Sequence, residues 1–411
     1  MKRLLLTLAG LLAVSLQGQV AVDSAWRPDV KTVQLYRSGD DMSAPLLTLG
    51  GGGRLTLEFD VLGAEAEALS WRIVHCDRQW VPDGLEANEF LTGFAEGQLD
   101  NYEFSFTTLK DYVHYTVTLP GDYSEFTYSG NYLVSVADDG GEVLLTRRFC
   151  VSEQSVGVRA GLAKPYDGIG LDRRQEVDVL VGGDGSPANE QWLTVVVQQN
   201  GRLDNRHELL FSGYDGGALA YRQRPQNLFD GGNTFRYFDC SNLRIPMYNV
   251  ARVEEYGGEE FVLLRPDEDR SRKHYLGEKT LYGDFKVNTQ HRDDARLQSE
   301  YVWVNFSLPM AQPLLEGSVY IVGALTDWQM DSTSRMEYNR DYRAYTKRML
   351  LKQGYYSYLL LVAPPRSGLR PPTATLEGDH YETGNRYTVY VYQHSPADRA
   401  DRLLAVTTAV R

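Results

Sequence analysis

Short runs of β-branched and aromatic residues, closed by Gly, Pro, Asn or Asp turns, recur along this chain, and no stretch sustains the 3.6-residue apolar period of an amphipathic helix. Thr32 to Tyr36, Leu55 to Val61, Leu69 to Cys76, Tyr112 to Leu119, Tyr132 to Val136 and Val143 to Val151 are such runs. Pro120-Gly121, Ser129-Gly130-Asn131 and Asp139-Gly140-Gly141 supply turns between them. Pro82 to Leu91 leaves room for one short helix. Half-wet, half-greasy sheet faces suit Tyr, and there are 27 Tyr against 14 Phe and 6 Trp.

Evenly spaced short strands are the signature of β-sandwiches. With 411 residues, the chain is expected to be all-β, built of tandem immunoglobulin-like sandwich domains. The strand runs divide into an N-terminal sandwich at 28–152, a middle β domain at 155–275 and a C-terminal sandwich at 276–405. The mixed-charge run from Asp267 to Lys273 reads as a solvated linker at the second boundary. Tyr301 to Phe306 lacks clear polar alternation and reads as a strand buried on both faces.

Lys2 and Arg3 precede an apolar run from Leu4 to Leu16, followed by small and polar residues Gly18 to Ala21. This is the layout of a secretory signal peptide over 1–21, with cleavage between about residues 18 and 21; a buried N-terminal helix is the other reading. Absence of a nearby Cys argues against a lipid anchor. Without a second long apolar run, direct membrane insertion is not expected of the mature chain. The net charge of −13, with no long basic run, argues against nucleic acid, whose phosphates demand Lys and Arg. In an exported chain Cys76 and Cys150 could bridge, or Cys76, Cys150 and Cys240 could be three buried thiols.

Catalytic signatures are missing. The nucleophile elbow, HExxH, the P-loop and the dinucleotide fingerprint are absent. Gly50 to Gly53 runs into Arg54-Leu55-Thr56-Leu57, a strand rather than a helix N-terminus, and so reads as a hairpin tip. Asp267-Glu268-Asp269 lacks the downstream Gly and Glu of a calcium loop. His75 and Cys76 are strand neighbours that point to opposite faces and make a poor dyad. No CxxC or Cys/His cluster suggests zinc. No enzyme, metal or cofactor is expected; a hydrolase with a distributed site would rest only on abundant carboxylates.

Two resemblances follow from motifs. The order Val319 to Trp328, Tyr342 to Leu350 and Lys352 to Tyr358 resembles the starch- and glycogen-binding module of early-set immunoglobulin-like domains, departing at Leu325 and Gln353. It implies a carbohydrate-binding envelope protein in which Trp328 stacks on a sugar; the competing reading packs Trp328 on the sandwich edge. More of the chain is covered by the second set. Val74 to Trp80, Gly93-Phe94, Ser129 to Tyr132, Gln199-Asn200-Gly201-Arg202, Gly232-Asn233-Thr234-Phe235-Arg236-Tyr237-Phe238-Asp239, Lys352-Gln353-Gly354-Tyr355-Tyr356 and Thr383 to Tyr387 occur in order. Together they resemble the type IX secretion system plug protein family, with departures at Thr234 and near Asp401-Arg402-Leu403.

That resemblance implies a non-enzymatic periplasmic protein on the inner side of the outer membrane, blocking the mouth of the system's β-barrel translocon. Candidate interface or motif residues are Trp80, Phe94, Asn200, Gly201, Arg202, Asn233, Phe235, Arg236, Phe238, Asp239, Trp328, Tyr355 and Tyr356. Gly201 is expected to take a positive φ, and Arg236 to pair with Asp239 or a backbone carbonyl.

Overall fold

The structure, a computed structural model, describes residues 20–166, 170–182, 190–364 and 370–411. The expected signal segment 1–21 therefore lies outside the described residues, apart from Val20 and Ala21. The fold is all-β, and among the described residues helix is reduced to single turns such as Ala87–Phe90, which falls within the Pro82 to Leu91 stretch.

Two facing sheets build the first sandwich. One runs Ser24–Ala25, Val143–Ser152, Gly130–Asp138, Leu69–Cys76, Glu96–Gln98, with Leu46–Thr48 added in parallel to Val143–Ser152. The other runs Val30–Arg37, Leu55–Leu62, Tyr112–Leu119, Tyr102–Phe104. Period-two alternation sends Leu55, Leu57, Phe59 and Val61 into the core against Trp71, Ile73, Val134 and Phe149. Phe59 stacks on Tyr115 at 5.3 Å. Each such side chain, fully buried, contributes about 1.5–3 kcal/mol.

The remaining strands overturn the boundary expected at 275/276. Leu193–Gln199 pairs with Arg206–Leu209 on one side and with Arg386–Gln393 on the other, and Arg402–Val410 closes that sheet. Val177, Val179, Val195 and Val197 share a core with Tyr387, Val389, Val391 and Leu404. Meanwhile Arg236–Asp239, Val250–Tyr256 and Glu259–Leu264, expected in the middle domain, join Tyr301–Pro309, Ala344–Lys352 and Gly354–Ala363. Phe238 and Val262 bury with Val302, Val304, Ile321 and Leu360. The third sandwich is thus inserted into the second, whose last two strands come from the chain's end. A central strand must satisfy backbone donors and acceptors on both edges, and here the second partner lies almost two hundred residues downstream. Within Tyr301–Pro309, Val302, Val304 and Phe306 are buried while Trp303 and Asn305 are only half-buried, so the strand alternates rather than burying both faces.

The Asp267 to Lys273 run is only in part a solvated linker: Glu268, Asp269, Arg272 and Lys273 are exposed, while Asp267 and Arg270 turn inward. Arg236 bonds Asp267 through Nη1 at 2.9 Å, Glu377 through Nε at 2.9 Å and the Glu268 carbonyl through Nη2 at 2.8 Å. Its carboxylate partners are therefore Asp267 and Glu377, while Asp239 instead accepts from the Ser241 N–H at 2.9 Å. Arg270 Nε reaches the other Glu377 oxygen at 2.9 Å, and the Leu360 N–H donates to Glu377 at 2.7 Å. Glu377 is wholly buried. Burial alone would raise its pKa, but the charges of Arg236 and Arg270 hold it below the usual range. This clasp ties the loop after Glu259–Leu264 to the sheet.

The possible Cys76–Cys150 bridge is ruled out by register. Asn131 lies opposite Cys150 on one side and Cys76 on the other. One strand separates the two cysteines, so their Cα atoms are about 10 Å apart (two strand spacings), beyond the roughly 7 Å reach of a disulfide. Cys76, Cys150 and Cys240 are buried free thiols.

Two outcomes follow. Chain unfolded without reductant should titrate with all three thiols reactive; a count of one would mean a bridge and a different register. Glu377→Gln, which leaves Arg270 without its charge partner and Arg236 with Asp267 alone, should cost about 3–5 kcal/mol, the usual loss when one side of a buried pair is removed. Because Glu377 has a depressed folded pKa, its contribution is present above the unfolded carboxylate value and disappears as pH falls through the folded one. The difference in melting temperature between wild type and variant should therefore narrow in acid.

Candidate interface and domain seams

Glu58 and Asp60 alternate with Leu57 and Phe59 and so project from the outer face of the first sandwich. That face is covered by the third sandwich, and Asp60 is 1% exposed. Asp60 accepts from His114 Nδ1 at 2.7 Å, Tyr301 OH at 2.6 Å and Lys352 Nζ at 2.6 Å. Lys352 also donates to the Arg296 carbonyl and sits 4.2 Å from the centre of the Tyr112 ring. Tyr301 OH lies 2.6 Å from Thr32 Oγ1. Burial would raise Asp60, yet the Lys352 charge and the His114 bond hold it below its ordinary value. For His114 burial works downward, but bonds to Asp60 and to Glu58 leave it raised. No local sequence signal marks these residues, because their environment is made by a domain some three hundred residues away.

The first and second sandwiches meet through a smaller apolar seam of Cys76, Trp80, Leu133, Cys150, Tyr392 and Leu403. Trp80 is buried there at φ 68°, with the Arg148 guanidinium 5.1 Å from its ring centre. Asn131 accepts from Tyr392 OH at 3.0 Å, and Asp401, 4% exposed, accepts from the Arg78 N–H at 2.8 Å.

Asn200 and Gly201 both take left-handed backbone, at φ 52° and 77°. Asn200 donates to Asn385 Oδ1 at 2.7 Å and accepts from the Arg386 N–H at 2.8 Å. Asn385 in turn donates to the Gly231 carbonyl at 2.8 Å. Gly231 and Asn385 mark the exit to and return from the inserted sandwich, so this amide chain clamps the crossing. Arg202 is buried and paired with Asp204. Asn233 donates to the Glu377 carbonyl at 2.7 Å, joining the Arg236 clasp.

Phe238 stacks on Tyr356 at 5.1 Å in the core, and Tyr355 stacks on Tyr237 at 5.6 Å on the half-buried face. Trp328, half-buried, meets the edge of buried Phe235 at 6.2 Å. A Cβ on Gly283 would come within 2.3 Å of the indole, and one on Gly201 within 3.7 Å. The ring is thus wedged against two glycine backbones. Phe94 alone among the candidate residues is well exposed, at 77%.

A cleft of about 470 Å³ opens where the three sandwiches meet. Arg147, Arg148 and Arg386 line it, each bonded to an aspartate: Asp327, Asp23 and Asp284. Cys150 lines it too, but burial pushes its thiol up to about 12, leaving no thiolate at neutral pH. His75 resembles half of a catalytic dyad, with Nδ1 2.6 Å from Asp83. Its Nε2 faces the Ser129 carbonyl at 3.3 Å and the bare Cα of Gly130, where a Cβ would approach to 2.2 Å. Both ring nitrogens are therefore engaged inside the fold. Among the described residues no group of three or more His, Cys, Asp or Glu is placed to hold a metal ion, and no helix is long and apolar enough to cross a membrane.

The Asp60 seam yields a pH signature. His114 has a raised folded pKa, so its contribution is full below about 6.5 and is lost as pH rises through the folded value. The melting temperature should decline from pH 6 to pH 8.5, and His114→Gln should flatten that decline; parallel profiles would show that His114 is not protonated in the seam.

No curated protein matches the chain. Among solved structures, a hypothetical protein from Parabacteroides merdae ATCC 43184 is 28% identical over 96% of this chain and 100% of that chain, with a TM-score of 0.92. Two others carry no argument at TM-scores of 0.17: a Pseudomonas fluorescens alkylpurine DNA glycosylase bound to DNA (14% identity, 30% of each chain) and a biofilm-associated protein BSP domain (8% identity, 97% of this chain and 68% of that one). Residues 30–153, nearly the whole first sandwich, match the family described as type 9 secretion system plug protein 1st domain. The first sandwich thus carries a type 9 secretion system plug protein 1st domain, which supports the resemblance to the type IX secretion system plug protein family and a role in type IX secretion at the cell envelope.

Proposed function

We propose that this protein is a non-enzymatic periplasmic plug that binds the outer-membrane translocon of the type IX system and occludes its periplasmic mouth. The observation that carries this reading is the plug-domain match over residues 30–153. A stopper must hold its shape under load, and three sandwiches braced by buried ion pairs and amide chains suit that demand better than domains on flexible linkers. The net charge of −13 keeps such a body soluble when unbound. The nucleophile- and base-like groups, Cys150 and His75, are spent on packing and internal bonds. The glycan reading draws little support from Trp328, whose indole is wedged against Gly201, Gly283 and Phe235.

Crosslinking of intact envelopes followed by mass spectrometry tests the proposal. A tagged copy of the chain should enrich a large outer-membrane β-barrel, with crosslinks on the barrel's periplasmic side. Repeated capture without any barrel, or crosslinks confined to the outer surface of the cell, would remove the plug reading.

A further inference from the structure

The first sandwich ends at an open sheet edge. Tyr102–Phe104 is the last strand of its sheet, paired only with Tyr112–Leu119. The Thr116 N–H donates to the Asn101 carbonyl at 3.0 Å, and the Ser105 N–H donates to the Tyr112 carbonyl at 2.9 Å. In an antiparallel ladder such inward groups recur at every second residue. Asn101, Glu103 and Ser105 therefore turn toward the neighbouring strand, and Tyr102 and Phe104 turn their N–H and C=O groups outward. Phe106 is next in the outward series, and its N–H is already taken by the Leu297 carbonyl of the third sandwich at 3.2 Å.

The residues with open main-chain groups are also the aromatic ones. Tyr102, Phe104 and Phe106 are 42%, 51% and 48% exposed. Their two-residue spacing puts them on one face. Tyr102 lies 5.8 Å from both Phe104 and Tyr115, so the row extends the core face past the edge of the sheet. Edges are blunted with charged side chains, Pro, bulges or very short strands, and this one has only its three-residue length and Glu103. Residues 100–108 contain no Lys, Arg or Pro, and the nearest lysine, Lys110, is paired with Glu259. The exposed charges here, Asp100 and Glu103, are acidic, Glu103 lying 3.5 Å from the Arg296 guanidinium of the third sandwich.

We infer that this edge is a docking strand, which accepts by strand addition an extended segment of a type IX partner protein, apolar opposite the aromatic row and basic between. The inference rests on the plug reading. Open N–H and C=O groups at alternate residues match the ladder groups of another extended strand. Acidic flanks favour a basic occupant, and they disfavour a second copy, whose own Asp100 and Glu103 would be brought against these.

Residue-level amide exchange on the full chain, free and bound to detergent-solubilised type IX outer-membrane complex, tests this. In the free protein Tyr102 and Phe104 amides should exchange far faster than Glu103; in the complex they should slow to match it. Phe104→Lys should weaken binding by roughly thirtyfold, the effect of losing one anchor residue, with an unchanged melting temperature. Tyr342→Lys, on the third sandwich and 77% exposed, should bind as wild type. If wild type captures no type IX component, the plug reading itself falls and takes this inference with it. If wild type binds but both amides stay fast and Phe104→Lys binds equally, only the docking edge is overturned. Protection in the free protein that grows with concentration alongside a dimer would give the edge to a second copy, against the inference.

Discussion

Asp60 and Lys352 are 292 residues apart in the chain and meet with each side chain 1% exposed. Bringing two charges out of water is costly, and the cost is met only where geometry is close and every remaining lone pair is used. Here the geometry is close: Tyr301 and His114 donate to the same carboxylate and the Arg296 carbonyl accepts from the ammonium, with Tyr112 beneath it. An apolar seam tolerates sliding, because its energy depends on area rather than direction. A bonded carboxylate does not. The placement of the first sandwich on the third is therefore specified by direction as well as by contact area.

The same device recurs where the inserted sandwich leaves and rejoins the second. Asn200, Asn385 and Gly231 form an amide chain across the crossing, and Arg236, Glu377 and Arg270 clasp the loop beyond it. The candidate motif residues thus divide by task. Asn200, Asn233 and Arg236 hold the linkers in place, Trp80 fills the seam between the first two sandwiches, and Phe235 and Phe238 pack the third. These residues make the body rigid. The large aromatics left exposed lie elsewhere, Phe94 and the row on Tyr102–Phe104 among them.

Much of the architecture was legible as local pattern. Leu55-Thr56-Leu57-Glu58-Phe59 announces a strand with one apolar face, and Asn200-Gly201 announces a left-handed turn; both stand in the structure. The aromatic row was also written in plain alternation, as Tyr102-Glu103-Phe104-Ser105-Phe106, but reading it as a site needs the knowledge that its strand lies at an edge. The charged run from Asp267 misled for a related reason. A sequence rich in both signs looks wet until an arginine from another strand and a glutamate from a distant loop close over it.

The amino-acid sequence by itself determined that the chain would be all-β, which side chains of strands such as Leu55–Leu62 face inward, and its likeness to the plug family, because period-two alternation and turn chemistry act over a few residues. Only the tertiary structure decided that Leu193–Gln199 would pair with Arg386–Gln393, that Glu58 and Asp60 would be dry, and that Cys76 and Cys150 would stand one strand too far apart to bond. Alternation gives each strand two faces but names neither its neighbours nor what covers its outer side. Those are settled by the joint packing of segments far apart in the chain, where shape and charge must agree at once.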